Sequence, residues 1–405
     1  MPVLLKAAAV IILLLLLLRL KVDLGLALLA DAVLTAGLFR MPAGVFLRTA
    51  GRTLIAGETL TLLGILVLVL YLGNYLQAGG HFRRMVEALK AIVRDPRLIL
   101  AVPSAFIGLL PMTAGAMMGA PIVEEAARPY GLSPAWMTFL NYWFRHIWEY
   151  SWPLYTNLIL ASLILEVPIG RICLVQAPFT VIAAAAGLTV LFRQVPAGPR
   201  SPRRRASIGD YVRVAASIWP IVLTIGLVFG LRMAMLPALA AACLLSQALS
   251  RMDLKTRWEV FRRSVTPRIV LLTASVMVFK QVLETSGALE AVVRAVPPGG
   301  LWTYVLLFAA PFLIGLLTGV NQAFVAIAFP LLAPIIGRGR PDMVLLLFAY
   351  VSGFVGILLS PAHLCLAFTA EYFHAELKDV YRILWRPVAA VFAAALFVLL
   401  AARVI

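Results

Sequence analysis

Two stretches of the chain begin with the same four residues and then change character in the same way. The first is IGLLPMTAGAMMGAP, residues 107–121, and the second is IGLLTGVNQAFVAIAFP, residues 314–330. In both, the apolar IGLL is followed by small, polar and glycine residues, and the starting positions, 107 and 314, differ by 207. Downstream, Pro153 in SWPLYTNLILA and Pro361 in SPAHLCLAF differ by 208. A nearly constant offset predicts an internal duplication, which then determines the architecture.

The composition around these stretches is that of a polytopic membrane protein. Of 405 residues, 62% are hydrophobic and 13% are charged, whereas soluble domains average about 45–50% apolar and about 25% charged residues. We therefore expect an all-α protein with membrane-spanning helices, the first of which is a helix and not a cleaved signal peptide. The apolar segments are 3–20, 22–39, 53–79, 98–121, 137–165, 171–192, 213–232, 234–250, 269–286, 301–336, 342–370 and 387–404.

The net charge of +17 comes from arginine and lysine residues in short loops between the apolar segments. This distribution follows the positive-inside rule, so the charge does not predict nucleic-acid binding. The most basic loops, 81–97, 193–213 and 251–268, are predicted to be cytoplasmic. The lipid bilayer is the partner that this pattern indicates.

The positions of the basic loops require that one apolar segment does not cross the membrane. Three segments separate the first basic loop from the second, so both loops are cytoplasmic only if one segment is re-entrant. Segment 98–121, which is interrupted by prolines and a glycine, is the candidate; its counterpart 301–336 is broken at Thr318-Gly319 and Pro330. About ten crossings remain, five in each half, and an odd number inverts the second half. Inverted repeats with broken helices at the bilayer midplane are typical of secondary transporters.

The predicted organisation is two inverted repeats joined by a basic cytoplasmic linker. The first repeat covers residues 1–192, the linker 193–212, and the second repeat 213–405. Each repeat is expected to contain scaffold helices, a re-entrant hairpin and a broken helix, in that order. These parts are 1–79, 98–121 and 137–165 in the first repeat, and 213–286, 301–336 and 342–370 in the second.

Four stretches carry a family pattern: GLLPMTAGAMMGAPIVEEA, LSPAWMTFLNYWFRHIWEYSWPLY, VNQAFVAIAFPLLAP and SGFVGILLSPAHLCLAFTAEYF. They resemble a family of bacterial and archaeal integral membrane proteins grouped with the ion transporter superfamily, beside gluconate, citrate and dicarboxylate permeases. The resemblance implies a homodimer held by its scaffold helices in the cytoplasmic membrane. It also implies a mobile transport domain, made of two hairpins and two broken helices, that works as an elevator.

The resemblance supplies no substrate for this chain. The Ser-Asn-Thr hairpin signatures of carboxylate carriers are replaced here by Pro111-Met112-Thr113 and Thr318-Gly319-Val320-Asn321. This departure argues against carrying over sodium-coupled carboxylate chemistry.

The hairpin tips and helix breaks are predicted to form a substrate site. Each exposes unpaired backbone groups, and the N-terminus of each half-helix carries partial positive charge. A small anion held by these dipoles is the expected ligand, with a cation held by freed carbonyls. The candidate substrate-binding residues are Thr113, Gly115, Thr156, Asn157, Thr318, Gly319, Asn321, Gln322, Ser360 and His363.

The stretch NYWFRHIWEYSWPLY, residues 141–155, places three ionisable side chains just before Pro153. Arg145 and Glu149 are four residues apart, and His146 and Glu149 are three apart, so all three share one helical face. In one interpretation His146 and Glu149 exchange a proton during transport, and Arg145 meets an anionic substrate or neutralises Glu149. In the other, Arg145 and Glu149 form a structural ion pair that stabilises the broken helix. The sequence leaves both interpretations open.

Other ionisable residues lie in apolar segments away from these breaks. Asp31 and Glu58, in the scaffold helices, are interpreted as members of packed polar pairs. Lys280 and Glu284 are four residues apart on one helix and are predicted to neutralise each other.

The leading functional prediction is a secondary active transporter of a small organic anion, a carboxylate, coupled to protons. H+ or Na+ is the coupling ion, and no cofactor is expected. The chain has no GxxxxGK[ST] motif, so ATP-driven transport by this chain is not expected. The alternative is a cation/proton antiporter in which Glu149 or Glu58 binds the cation.

A third interpretation is an intramembrane metal-dependent enzyme, with a metal site formed by His146, Glu149 and His363. Neither HExxH nor GxSxG occurs, so we predict that the chain is not an enzyme. The cysteines also lack the spacing of a thiolate metal site, and no metal site is predicted. They are Cys173, Cys243 and Cys365, all in apolar segments.

Overall fold

The architecture is helical throughout the residues that the computed structural model describes, which are 3–93, 95, 97–109, 115–196, 206–288, 291 and 300–404. No β-strand occurs in this part of the chain. The first half contains α1 Val3–Arg19, α2 Leu24–Leu38, α3 Ala43–Leu54, α4 Gly57–Ala78, α5 His81–Ile92, α6 Val102–Ile107, α7 Gly115–Ala127, α8 Pro134–His146, α9 Thr156–Ile164 and α10 Ile169–Gln194. The second half contains α11 Ile208–Ile225, α12 Met235–Ala248, α13 Leu254–Ser264, α14 Pro267–Thr285, α15 Leu301–Thr318, α16 Asn321–Ile336, α17 Met343–Leu359, α18 Leu364–Phe373 and α19 Leu377–Val404.

Seven helical stretches of the described chain are long and apolar enough to cross a membrane, so the protein is a multi-pass membrane protein. They are Gly57–Ala78, Ile169–Gln194, Ile208–Gly230, Leu254–Thr285, Leu301–Thr318, Met343–Phe373 and Leu377–Ala402. Shorter apolar helices accompany them: Ala9–Arg19, Leu24–Leu38, Leu98–Ile107, Met235–Ala248 and Asn321–Ile336. The sequence predicted about ten crossings; several of its segments are shorter than a bilayer or divided by non-helical turns.

The stretch Met343–Phe373 forms the interior of the protein. In its apolar core, 83% of the residues are buried, against 22–56% in the other six membrane-spanning stretches. Its first part, α17, packs on α10, α15, α16 and α19, and its second part, α18, packs on α7 and α8. At the break between α17 and α18, Ser360 and His363 are buried against these helices, whereas Pro361 and Ala362 are exposed. Irregular backbone at membrane depth is tolerated where protein or a water-filled cavity surrounds it.

Three amphipathic helices lie where the sequence predicted basic loops or no element. Helix α5 occupies most of the loop 81–97, α13 occupies most of the loop 251–268, and α3 precedes the span that starts at Gly57. A search for apolar segments does not find these helices, because each contains several charged or polar residues. They are nevertheless held by packing, because α3 contacts α14, α5 contacts α11, and α13 contacts α4.

The two halves of the chain pack on each other reciprocally. In the first half α2 and α3 pack on α14, and in the second half α12 and α13 pack on α4. Likewise α9 packs on α16, and α18 packs on α7. The start of α4 at Gly57 precedes that of α14 at Pro267 by 210 residues, and the start of α9 at Thr156 precedes that of α18 at Leu364 by 208. Each of these contacts of a first-half helix with a second-half helix thus has a counterpart in which the equivalent helices of the two halves have exchanged places.

Four interruptions of helical structure position the candidate site. They fall between α6 and α7, α8 and α9, α15 and α16, and α17 and α18. The prediction of a break at Pro330 is wrong, because this proline lies inside α16. Prolines are tolerated within membrane helices, where neighbouring groups satisfy the freed backbone.

Candidate functional site

The first helix break separates α8 from α9. Helix α8 passes into a 3₁₀ turn, Ile147–Tyr150, and irregular backbone then leads into α9. The hydroxyl of Tyr350, from α17, donates to the backbone carbonyl of Glu149 at 2.7 Å and accepts from Asn157 Nδ2 at 2.7 Å. A buried carbonyl released from a helix needs such a partner. Tyr350 therefore fixes both sides of the first break.

The second break, between α17 and α18, is stabilised in a similar way. The hydroxyl of Tyr142 donates to the carbonyl of Leu358 at 3.2 Å, and the hydroxyl of Tyr381 donates to that of Leu359 at 3.1 Å. Ser360 is buried, and its Oγ accepts a backbone N–H of the same turn at 3.2 Å. The hydroxyl predicted to bind substrate thus shapes the turn.

The tip of the second hairpin, between α15 and α16, packs against the second break. Gly319 has φ +62°, and the hydroxyl of Thr318 accepts the backbone N–H of Val320 at 3.2 Å. The Gly319 carbonyl accepts a hydrogen bond from His363 Nδ1 at 2.6 Å. A Cβ at Gly319 would lie 2.5 Å from the backbone nitrogen of His363, so both the dihedral and the close approach require glycine.

Helices α6 and α7, which the sequence predicted as the two arms of the first hairpin, lie against α8 at Arg145. A Cβ at Gly115, the first residue of α7, would lie 2.7 Å from Arg145 Nε. The hydroxyl of Tyr155 donates to the carbonyl of Gly108 at 2.5 Å and links the other arm of the hairpin to the first break. Thr113, which the sequence predicted at this tip, lies outside the described residues.

A pair of histidines joins the two helix breaks. His146 is 1% exposed and His363 is 6% exposed, and their Nε2 atoms are 3.0 Å apart. His146 Nε2 is also 3.6 Å from Glu149 Oε1, and the other carboxylate oxygen accepts a hydrogen bond from Asn321 Nδ2. Side chains from α8, from α16, from the 3₁₀ turn and from the residue that precedes α18 therefore meet at one point.

Arg145 completes this cluster with a guanidinium that is charged at any physiological pH. The residue is 4% exposed, and its Nη1 donates to Cys365 Sγ at 2.9 Å. The carboxylate of Glu149 receives its hydrogen bond from Asn321. Glu149 therefore also contacts α16, a contact that a simple ion pair between Arg145 and Glu149 does not include.

Two predicted site residues, Asn157 and Asn321, each keep a buried Oδ1 atom without a partner among the described residues, and so does the hydroxyl of Tyr150, which the sequence did not single out. Thr156 and Gln322 are half-buried in the first turns of α9 and α16. Buried polar atoms without partners are rare, so these indicate where water or a polar ligand would bind.

Sequence reasoning missed the residue that ties the first hairpin to both broken helices, Asn141. Its Nδ2 donates to the carbonyl of Ala116 at 2.8 Å and to Thr369 Oγ1 at 3.2 Å, and its Oδ1 accepts from Ser104 Oγ at 3.1 Å. The available signal was an asparagine inside an apolar run, at the start of the NYWFRHIWEY stretch. Tyr350 gave no such signal, because a lone tyrosine is ordinary in a membrane helix.

Three side chains of the cluster have donor atoms that could hold a metal ion. His146, His363 and Cys365 each offer one ligand atom, and these atoms lie within 4.8 Å of one another. The sequence predicted no metal site, because the cysteines lack the spacing of a thiolate metal site. No local pattern relates His363 and Cys365 to His146, which is 217 residues away from His363.

The predicted Lys280–Glu284 pair is wrong. Lys280 Nζ lies 3.8 Å from Glu58 Oε2 and 3.8 Å from Glu166 Oε1, while Glu284 pairs with Arg338 Nη1 at 2.5 Å. Spacing along one helix allowed the local pair, but acidic and basic groups from other elements lie closer.

Asp31, on α2, differs from the packed polar pair that the sequence suggested. The residue is 0% exposed, and neither of its carboxylate oxygens has a hydrogen-bond partner among the described residues. The Oγ1 of Thr35, one turn later, also lacks one. Helix α2 packs on α1 and α14, away from the breaks.

No curated protein matches the chain. A family model described as "Protein of unknown function (DUF401)" matches residues 1–405. The chain, an all-α multi-pass membrane protein with a buried polar cluster at two helix breaks, belongs to the DUF401 family.

Proposed function

We propose that the protein is a secondary active transporter of a small organic anion, a carboxylate, coupled to protons. The position of Arg145 is the observation that carries this proposal. A permanently charged guanidinium, 4% exposed, lies where α8 breaks and contacts Cys365 of the other broken helix. Ionisable residues inside a membrane protein are costly and mark ligand or ion sites by default.

Helix N-termini support an anionic substrate. Four helices begin at the interruptions: α7 at Gly115, α9 at Thr156, α16 at Asn321 and α18 at Leu364. Each N-terminus contributes partial positive charge and unpaired N–H groups, which suit a carboxylate. Together with Arg145 they favour an anion over a cation as the transported species.

The inverted repeat and the elevator motion belong to the same proposal. The reciprocal packing of α2 and α3 on α14, and of α12 and α13 on α4, is what a two-fold relation between the halves produces. In the proposed cycle the hairpins and broken helices move together against the scaffold helices α1–α4 and α11–α14. About ten crossings, membership of the ion transporter superfamily, a homodimer formed by the scaffold and a location in a bacterial or archaeal cytoplasmic membrane rest on the resemblance of the four stretches quoted above.

Coupling to protons is supported by the titratable groups beside Arg145. His146 Nε2 and Glu149 Oε1 are 3.6 Å apart and buried together. A cation/proton antiporter is the weaker candidate, because the guanidinium of Arg145 would repel a cation bound at Glu149. We propose no enzymatic activity.

A thermal-shift screen of the detergent-purified protein tests the proposal. Succinate, citrate and gluconate are the probes, at several pH values and with sodium or choline as the cation. A ligand present at about 100 times its Kd stabilises the folded state by about 2.7 kcal/mol. We expect at least one carboxylate to raise the melting temperature of the wild type and of Arg83→Gln, whose side chain is 88% exposed, but not of Arg145→Gln.

The outcome that contradicts the proposal is equally specific. If no carboxylate shifts the melt while sodium or potassium does, the cation/proton antiporter replaces the anion carrier. If a carboxylate stabilises Arg145→Gln as strongly as the wild type, the anion site lies elsewhere.

A further inference from the structure

The two clustered histidines each have one ring nitrogen engaged by a backbone carbonyl. His146 Nδ1 is 2.6 Å from the carbonyl oxygen of Tyr142, and His363 Nδ1 is 2.6 Å from that of Gly319. A carbonyl oxygen only accepts hydrogen bonds, so these partners assign the hydrogen of each neutral ring to Nδ1. Each Nε2 is then a lone-pair donor for a cation.

Those two lone pairs face each other. The Nε2 atoms of His146 and His363 are 3.0 Å apart, and both side chains are buried. Two acceptors at this distance repel each other unless a cation binds between them. The candidates are a proton and a metal ion.

The other donors of the cluster distinguish the two. Cys365 Sγ lies within 4.8 Å of a ring nitrogen of each histidine, and Glu149 Oε1 lies 3.6 Å from His146 Nε2. A proton shared by two imidazole nitrogens does not require a nearby sulfur atom. Imidazole nitrogen, thiolate sulfur and carboxylate oxygen are, however, the ligands of zinc. The Nδ1–H groups that donate to carbonyls are also the usual outer-shell support of metal-binding histidines.

We propose that His146 Nε2, His363 Nε2 and Cys365 Sγ bind one divalent transition-metal ion of the zinc class. Glu149 or an anionic ligand takes the remaining position. The ion is a resident of the site and links the break of α8–α9 to that of α17–α18.

The histidine pair needs little adjustment for such an ion. Zinc–nitrogen bonds of about 2.0–2.1 Å in a tetrahedral site place two nitrogens about 3.3 Å apart, and the two Nε2 atoms are 3.0 Å apart. A few tenths of an ångström of side-chain movement would give the two nitrogens the spacing that zinc requires. The interplanar angle of 66° shows that the two rings are not stacked.

The charges of the cluster are also consistent with a bound dication. A Cys365 thiolate and the Glu149 carboxylate would neutralise the metal, and the N–H of Arg145 would stabilise the thiolate. Arg145 adds a positive charge beside the metal, which suits an anion at the same place. His146 is then a metal ligand, and the proton of the transport proposal is carried by Glu149 when an anionic ligand takes its place on the metal.

Cobalt titration tests the metal site directly. The protein is purified without chelator, its purification tag is removed, and elemental analysis is expected to find about one zinc ion per chain. After the metal is stripped, Co²⁺ is expected to produce a sulfur-to-cobalt charge-transfer absorption. Cys365→Ser should remove that absorption. His363→Ala should weaken Co²⁺ binding by more than the roughly 10–100-fold that loss of an outer-shell partner costs.

Matched controls separate this site from others on the chain. Cys173→Ser alters a buried cysteine on α10, and His374→Ala alters a histidine after α18, so both should bind Co²⁺ as the wild type does. The melting temperature of each metal-free variant checks that it is folded; a Cys365→Ser variant that does not fold is replaced by Cys365→Ala and His363→Gln.

Two results would overturn the proposal. One is a folded wild type that retains no metal and binds no Co²⁺ at millimolar concentration, which leaves the histidines to share a proton. The other is Co²⁺ binding that Cys365→Ser and His363→Ala do not change, which means an ion bound elsewhere. Neither result bears on the carboxylate screen, so failure of the metal site and failure of the transport proposal are distinguishable.

Discussion

Replacing Gly319 with alanine tests how closely the second hairpin tip approaches the second helix break. Gly319 has φ +62°, and an added Cβ would lie 2.5 Å from the nitrogen of His363 and 2.6 Å from the carbonyl carbon of Ala362. Both of these are backbone atoms, so neither can move aside as a side chain could. The tip or the break must shift instead.

The expected cost has two parts. A left-handed backbone conformation costs an alanine about 1–2 kcal/mol, and an overpacked contact costs about 1–3 kcal/mol. We therefore expect Gly319→Ala to destabilise the protein by about 2–5 kcal/mol. Displacement of His363 should also abolish the carboxylate-induced thermal shift and weaken Co²⁺ binding.

Gly339 provides the matched control. It has φ +65°, and a Cβ there would meet no atom within 4 Å, so Gly339→Ala carries the conformational cost alone. Thermal melting of both variants in the same detergent, followed by tryptophan fluorescence, separates the two parts. If Gly319→Ala melts no lower than Gly339→Ala, the tip does not pack against the break and the reasoning fails.

Three further predictions concern the contacts that support the site, each measured as a change in stability in the same detergent. Tyr350→Phe removes a hydroxyl that hydrogen-bonds on both sides of the first break, and two buried groups left without partners cost about 2–6 kcal/mol. Asn141→Ala, which breaks three hydrogen bonds among the hairpin and both broken helices, should cost a similar amount and weaken carboxylate binding. A double-mutant cycle of Lys280 with Glu166 should give a coupling energy of about 0.2–1 kcal/mol, because the Glu166 side chain is 53% exposed. In a cycle of Lys280 with Glu284, the stability changes of the two single variants should add to within about 0.5 kcal/mol.

Each of these predictions has its own control or contrary result. Tyr211→Phe, at a tyrosine that is 55% exposed, should leave stability unchanged, and an equal loss in both tyrosine variants would deny Tyr350 a role in the break. For Asn141, a loss of stability without any change in carboxylate binding would make it a packing residue only. A Lys280–Glu284 coupling larger than that with Glu166 would restore the local ion pair.

The sequence predicted the all-α, multi-pass character of the protein, which is confirmed by the helices of membrane-spanning length. Glycines and prolines inside apolar runs also pointed to the interruptions, because these residues disfavour regular helix, although Pro330 lies inside α16 and shows that a proline alone does not end a membrane helix. Gly319 lies at a hairpin tip in the structure, and Pro153 and Pro361 lie within the two helix breaks.

Other features depend on contacts between distant parts of the chain. The contact between His146 and His363 spans 217 residues, and no local pattern relates them. Cys365 looked like a small core residue until the fold placed it beside Arg145. The Lys280–Glu284 prediction failed for the same reason, since Arg338, 54 residues away from Glu284, lies closer than the neighbour on the helix.

Amphipathic helices were missed for a different physical reason. Helices α3, α5 and α13 carry two or three arginines each and contain no long apolar run, so the sequence predicted loops between membrane spans there. Their stability comes from packing one apolar face on a neighbouring helix, which a search for hydrophobic segments does not detect.

Carboxylate uptake by proteoliposomes is the most direct test of the proposed transport. Purified protein is reconstituted, an inwardly directed proton gradient is imposed, and entry of radiolabelled succinate, citrate or gluconate is followed. We expect wild type and Arg83→Gln to accumulate at least one of these anions, and Arg145→Gln to accumulate none. If no carboxylate enters faster than in protein-free liposomes while sodium or potassium exchanges for protons, the protein is not an anion carrier.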